Sequence, residues 1–412
     1  MEIGSDYDEL WRSLRPLGYD RSSGGYRRFA WNKADLACRA WFTAQAADRG
    51  LEVRTDRNGN QWAWWGEQLP GKALAIGSHL DSVPDGGAFD GPLGVIGSFA
   101  AVDLLRAAGW SPDRPIAIAN FADEEGARFG VACAGSRLLT GQLDPAHARA
   151  LTDDDGVSMA AAMESAGHDP DGIGRDDALL ERIGQYVELH IEQGRALVDL
   201  ERPIGVATSI WPHGRWRFEF GGEANHAGTT RLEDRRDPML TYAHTVLAAR
   251  EQARAHGALA TFGRVQVEPN GTNAIPSKVS AWLDSRAPDE ATLRAVLADL
   301  EEAARERAGH DGASLSVVNE SLTPIVEFDH LLRDQLSKTL EQAPVLPTGA
   351  GHDAGILAAC LPTAMLFVRN PSGVSHSPAE QAEQADCRFG VHALATAVAQ
   401  LAGGPADLAA AR

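Results

Sequence analysis

The chain has 412 residues, of which 44% are hydrophobic, 23% charged and 7% aromatic, with a formal net charge of −19. That length exceeds what one hydrophobic core usually organises, so two domains are expected, and the composition excludes a disordered or fibrous chain. The acidic excess repels nucleic acid and anionic membranes at long range and excludes both as partners; a small anionic substrate stays open, because local arginines or metals can outweigh the global field.

The opening stretch, MEIGSDYDELWRSLRPLG, carries acids and lacks an apolar core, so it does not read as a secretory signal. No run reaches the length of a membrane span. From about Asp35 to Arg49 the spacing predicts a helix with Leu36, Ala37, Ala40, Trp41 and Ala44 on one side. Strand-like runs follow at Gln61 to Trp65 and Ala73 to Ile76, then a helix from Gly94 to Ala108 and a strand from Pro115 to Phe121. Strands alternating with helices predict an α/β fold with a mostly parallel central sheet. Ligands gather at the carboxyl ends of strands in such sheets. His79 follows one predicted strand, Glu124 and Glu125 follow the next, and His190 ends YVELH, so three strand ends face one crevice.

The pattern changes after Ser209. Trp216 to Phe220, Gly263 to Val267, Val279 to Asp284 and Leu315 to Val318 read as strands, and Pro238 to His256 and Glu290 to Ala308 as helices. This predicts a smaller α/β domain, residues 210–325, inserted into a discontinuous catalytic domain of residues 1–209 and 326–412. The Ala-rich tail after Leu401 reads as frayed. Cys38, Cys133, Cys360 and Cys387 are scattered, as expected of reduced thiols in a cytoplasm, and the triplets starting at Asn270 and Asn319 then read as chance rather than glycosylation sites.

The chemistry lies in five segments: GSHLDSVPDGGAFDGPLG, NFADEEGARFG, ELHIEQG, NHAGTT and GVSHSPAE. Together His79, Asp90, Glu125, His190 and His376 form a ligand set suited to two divalent metals bridged by one carboxylate. Imidazole and carboxylate without cysteine favour zinc, with manganese, cobalt or nickel as alternatives. Asp81, two residues from His79, lies on the same side of an extended segment and can hold the other ring nitrogen. The run Asp123-Glu124-Glu125 would ordinarily be a solvated turn. After an apolar strand its carboxylates repel one another unless cations sit nearby. One glutamate as ligand and the other as base suits metal hydrolysis, although adjacency does not say which is which. His190 alone would be a satisfied core histidine and His376 alone a turn residue; the joint pattern carries the reading. The Gly91, Gly94, Gly97 series lacks the features of a phosphate or dinucleotide loop.

As spelled here, GSHLDSVPDGGAFDGPLGV, DEEGARFG, ELHIEQG and GEANHAGTT resemble the zinc aminoacylase and carboxypeptidase family of di-metal hydrolases. Within it they resemble the branch of N-carbamoyl-L-amino acid hydrolases, allantoate amidohydrolases and ureidopropionase, from about Trp31 to His392. The resemblance implies one metal on His79, Asp90 and His190 and another on Asp90, Glu125 and His376, with Glu124 as general base. It further implies that Gln193 holds the ureido or acyl group, that His226 polarises the scissile carbonyl from across a dimer formed by the inserted domain, and that Asn273 and Arg286 bind the substrate carboxylate. His352 of GAGHDAG would line the pocket. The chain departs from many carbamoylases at Ser277 and at Arg231-Leu232-Glu233, which bears on the substrate rather than the chemistry. The expectation is a cytoplasmic, homodimeric amidohydrolase acting on the ureido group of allantoate or an N-carbamoyl-L-amino acid. The rivals are an N-acyl or N-formyl amino acid hydrolase, a dipeptidase, or a metal-binding regulatory or scaffolding protein. The last would be expected to have lost the base.

Overall fold

A computed structural model describes residues 4–67 and 72–408. Six strands precede Ile210 or end on it: β1 (Glu52–Thr55), β2 (Gln61–Trp65), β3 (Ala73–His79), β4 (Ile116–Phe121), β5 (Ile183–Ile191) and β6 (Ile204–Ile210). Six follow: β7 (His213–Gly221), β8 (Asn225–His226), β9 (Leu259–Glu268), β10 (Ala274–Ile275), β11 (Lys278–Arg286) and β12 (Ser314–Thr323). The last three are β13 (Val326–Glu327), β14 (Val345–Thr348) and β15 (Thr363–Val368). The chain divides into two compact units, Met1–Ser209 with Glu327–Arg412, and Ile210–Val326.

The large unit is built on a nine-stranded sheet of order β1-β2-β4-β3-β5-β15-β6-β13, with β14 beside β6. Its centre, β4-β3-β5-β15, is parallel. Every residue of β3, β4 and β15 is buried, as expected of parallel strands covered on both faces. The strand order reverses between β3 and β5, so the crevice at their carboxyl ends is the place where such sheets bind ligands. Helices Pro92–Ala107 and Gln384–Ala402 supply the apolar cover, with Phe99, Val391 and Leu394 in one core.

The helix Lys33–Asp48 forms where the spacing predicts it, but its buried face is different. Cys38, Trp41, Phe42 and Ala46 point inward, whereas Leu36 is exposed. The aromatic pair decides the rotation: Trp41 and Phe42 both pack on Phe99, with ring centroids 6.1 and 5.2 Å apart, and bury more area than alanines could. A further helix, Gly4–Leu14, was not anticipated, although Tyr7, Leu10, Trp11 and Leu14 are buried at helical spacing. Helix Gln384–Ala402 runs just past Leu401; of the tail behind it, residues 409–412 lie outside the described residues.

The small unit has a four-stranded antiparallel sheet of order β12-β7-β11-β9. Alternation on β7 sends Trp216, Phe218 and Phe220 into a core shared with Val279, Ala281 and Leu283 of β11. Helices Pro238–His256 and Glu290–Asp311 cover that face. The ladders run past the ends that alternation predicts, because backbone pairing continues where side-chain patterning stops.

Candidate metal centre

Four parallel strands deliver the site from one end. His79 is the last residue of β3, the turn Asp123-Glu124-Glu125 follows β4, His190 is the penultimate residue of β5, and His376 sits on the loop after β15. Asp90 comes from the loop ahead of helix Pro92–Ala107. Gly91 lets that loop pass directly over His79: it has φ +82°, and a Cβ there would lie 2.5 to 2.6 Å from the imidazole ring.

One oxygen of Asp90 faces His190 Nε2 at 3.1 Å and His79 Nε2 at 3.7 Å; the other faces His376 Nε2 at 3.4 Å. His376 Nε2 also lies 3.6 Å from a Glu125 oxygen. Among the described residues three groups result, His79 with Asp90 and His190, Asp90 with Glu125 and His376, and Glu188 with His190 and His352, each with potential ligand atoms within 4.8 Å of one another; the first two share Asp90. Burial would raise the Asp90 carboxyl, but the imidazoles of His190, His376 and His79 outweigh it and hold its pKa well below the usual range. Its hydrogen bond to Asp90 raises the His376 imidazole to about 9.

The donor set fits a divalent cation. The Nε2 atoms of His79 and His190 are buried and without a hydrogen-bond partner. His190 Nδ1 lies 2.9 Å from the Ile191 carbonyl and His79 Nδ1 3.3 Å from the Asp81 carbonyl, so each ring donates from Nδ1 and turns Nε2, the atom a cation would take, toward Asp90. Glu124 and Glu125 stand next to each other, both raised by burial first, Glu125 to about 7; Asp353 and then Glu125 push Glu124 further, and Asp90 pushes Glu125. Such crowding of carboxylates calls for a cation.

Glu124 places one oxygen 3.7 Å from His79 Nε2, and the buried Cys133 thiol donates to its other oxygen at 3.4 Å. The Asp81 carboxylate lies 3.4 Å from His79 Nδ1 and accepts the backbone N–H groups of both Glu124 and Glu125. Gln193 donates from Nε2 to Asp90 at 2.8 Å and to Ser375 Oγ at 3.1 Å. His352 is buried 4.4 Å from the His190 ring, and burial together with His190 drives its pKa well down, so it stays neutral.

Buried carboxylates not assigned from the sequence include Glu380 and Glu188. Glu380 accepts the N–H groups of Phe89 and Asp90, and Glu188 accepts the Ser78 hydroxyl and the Ala354 N–H. Glu380 lies in GVSHSPAE and Glu188 in ELHIEQG; the available signal was their presence within segments already singled out by a histidine.

His226, Asn273 and Arg286 belong to the small unit. β8 and β10 pair His226 with Ala274, and Ala227 N–H donates to the Asn273 carbonyl at 3.0 Å, so His226 and Asn273 are neighbours, both exposed. Gly228 N–H donates to His226 Nδ1 at 3.0 Å, which leaves the ring proton on Nε2. Arg286 is elsewhere. It ends β11, paired with His213 and held by Asp284 at 2.8 Å, whereas the His226 and Asn273 pair adjoins the beginning of that strand. The eight residue steps from Lys278 to Arg286 span roughly 26 Å. Within one chain, Asn273 and Arg286 cannot share a carboxylate.

The sequence profile of peptidase family M20/M25/M40 matches residues 75–400. The chain is 36% identical over 411 residues to an N-carbamoyl-L-amino acid amidohydrolase of Geobacillus stearothermophilus, covering 96% of this chain and 99% of that protein. It is 33% identical over 399 residues to the allantoate amidohydrolase of Escherichia coli strain K12, covering 94% and 96%. A crystal structure of a hydantoinase/carbamoylase family amidase from Burkholderia multivorans matches it with a TM-score of 0.84 at 29% identity, covering 97% and 98%.

Proposed function

The chain belongs to peptidase family M20/M25/M40, and from that premise we propose a metal-dependent amidohydrolase that cleaves the carbamoyl (ureido) C–N bond of a small carboxylate-bearing substrate, such as allantoate or an N-carbamoyl-L-amino acid. The observation that carries the reading is the pair of ligand groups sharing Asp90, with Glu124 beside them. His79, Asp90 and His190 would hold one divalent ion and Asp90, Glu125 and His376 a second. Zinc suits the donors best, with manganese, cobalt or nickel as alternatives. Ions bound there supply Lewis acidity toward the substrate carbonyl and a more acidic water.

The chain's own residues do the rest. Glu124 takes the proton of the attacking water and returns it to the leaving nitrogen. The Nε2–H of His226, fixed by the Gly228 hydrogen bond, donates to the oxyanion from the partner subunit of a homodimer. Gln193 holds the ureido group and neutral His352 lines the pocket. Asn273 and Arg286 anchor the carboxylate together only if each comes from a different chain. Water adds to the ureido carbon, the C–N bond to the amine breaks, and the carbamate released decays to ammonia and carbon dioxide. Four free cysteines support a cytoplasmic enzyme.

The test is a panel of substrates with the metal-loaded protein: ureido acids, their carboxamides, N-formyl and N-acetyl amino acids, and dipeptides. Ureido acids should be turned over, and preferred to their carboxamides by at least about tenfold in kcat/KM, since a hydrogen bond to a charged carboxylate is worth roughly 1.5–3 kcal/mol. Turnover confined to N-acyl acids or dipeptides would replace this reading with its rival.

A further inference from the structure

Asp90 joins the His79, Asp90 and His190 group to the Asp90, Glu125 and His376 group, yet it sits on a loop rather than on a strand. Something must fix that loop. One oxygen of the Glu380 carboxylate accepts the backbone N–H of Phe89 at 2.9 Å and that of Asp90 at 3.0 Å. The other lies 3.5 Å from the Ser375 hydroxyl, which is itself 3.2 Å from Asp90 Oδ2. Glu380 is 5% exposed and belongs to the loop that carries His376, so one buried side chain ties together two ligand-bearing loops almost three hundred residues apart. The fit is close: a Cβ added at Gly87 would fall 2.3 to 2.5 Å from Glu380 side-chain atoms.

We propose that Glu380 is the positioning residue of the shared carboxylate, and that it governs occupancy of the Asp90, Glu125 and His376 site far more than that of the His79, Asp90 and His190 site. This rests on the two-site reading given above. The asymmetry follows from where the ligands stand. His79 and His190 are both buried and lie on strands β3 and β5, so the first site keeps two fixed ligands whatever the loops do. In the second site, Asp90 and His376 both sit on loops joined through Glu380, and His376 is half exposed, its side chain 51% accessible. Loss of the tie frees two of its three ligands at once.

The experiment is zinc binding by metal-free protein, measured by competition with a chelator of known affinity and by elemental analysis, alongside thermal melts. Wild type should bind two zinc ions. Glu380→Met, which keeps the volume and removes the acceptor, should hold the first ion within about threefold of wild type and weaken the second by roughly ten- to a hundredfold, the usual effect of losing a residue that orients a metal ligand. Glu380→Gln, whose side-chain carbonyl can still accept both N–H groups, should stay within about threefold at both sites. Gly87→Ala, which pushes Glu380 aside without altering it, should reproduce the Met variant and decides the matter if that variant does not fold. Unchanged zinc binding in Gly87→Ala and Glu380→Met, equal weakening of both ions, or a Gln variant as impaired as Met would overturn the assignment. A wild type that binds no zinc would instead sink the metal reading itself.

Discussion

Asp81 holds Glu124 by its backbone: one carboxylate oxygen of Asp81 accepts the Glu124 N–H at 3.2 Å, and the other accepts that of Glu125 at 3.0 Å. The two glutamates are therefore aimed by a residue that also borders His79 Nδ1, and three site positions depend on one buried carboxylate. Asparagine has a single acceptor and would turn an amide N–H toward a backbone N–H. Asp81→Asn should lower kcat/KM by roughly ten- to a hundredfold while the protein stays folded. Unchanged steady-state kinetics would show that the backbone of the turn holds itself.

Glu124 and Glu125 are adjacent but point at different partners, Glu124 at His79 and Glu125 at His376. Glu124→Gln should retain both metals and lose roughly two to four orders of magnitude in kcat, the range of a positioned acid-base group. Glu125→Gln should reduce metal content instead. Elemental analysis and kinetics on the same preparations separate the two roles, and the opposite pattern would exchange them.

Metal affinity should depend on pH with a defined sign. The His376 imidazole is raised to about 9 in the metal-free protein, and only its neutral form can ligate. Below that pH an incoming ion displaces a proton, so affinity at the Asp90, Glu125 and His376 site should fall as pH falls, roughly tenfold per unit for one proton. Glu125, raised to about 7 by burial and by Asp90, adds a second displaced proton below that value and steepens the slope. Zinc dissociation constants between about pH 6 and pH 9 check this; a flat profile contradicts it.

The separation of Asn273 from Arg286 along β11 makes a prediction about assembly. Asn273→Ala and Arg286→Ala proteins, each weakly active, should regain activity when mixed under subunit exchange, because one hybrid site then receives both native residues from different chains. His226→Ala mixed with Glu124→Gln should behave alike. Asn273→Ala mixed with His226→Ala should not recover, since those residues are neighbours and enter a site together. Activity assays on mixtures with exchange verified by mass spectrometry give the answer, and failure of every mixture to recover would place all these residues in one subunit's site.

Three residues of the candidate site were legible in the sequence because each ends a strand or follows one, where short motifs carry the geometry locally: His79 after Leu74 to Ile76, Glu125 after Ile116 to Phe121, His190 within YVELHI. What steadies them was not legible. The bonds from Glu380 to Asp90 and from Asp81 to Glu124 join residues 290 and 43 positions apart, and no local pattern announces such pairs. Strand β15 also went unread, since its fully buried run Thr363–Val368 lacks the alternation that marks a half-exposed strand. The helix Lys33–Asp48 was found but its face misjudged, because aromatic packing against Phe99 outweighs simple apolar spacing. Arg286 matched its motif, but only the pairing register of β11 reveals its distance from Asn273.

The central claim, hydrolysis of a ureido carbon by a metal-dependent site with Glu124 as base, is tested most directly by following that carbon. Allantoate and an N-carbamoyl-L-amino acid isotopically labelled at the ureido carbonyl can be incubated with the metal-loaded enzyme while labelled bicarbonate, ammonia and free amine are measured together by NMR and mass spectrometry. At least one of the two should release labelled bicarbonate in step with the amine. Release should stop on chelation, return on adding zinc or manganese, and be almost absent in Glu124→Gln. Labelled bicarbonate from neither substrate, or release that persists at full rate in chelated protein or in Glu124→Gln, would contradict the account.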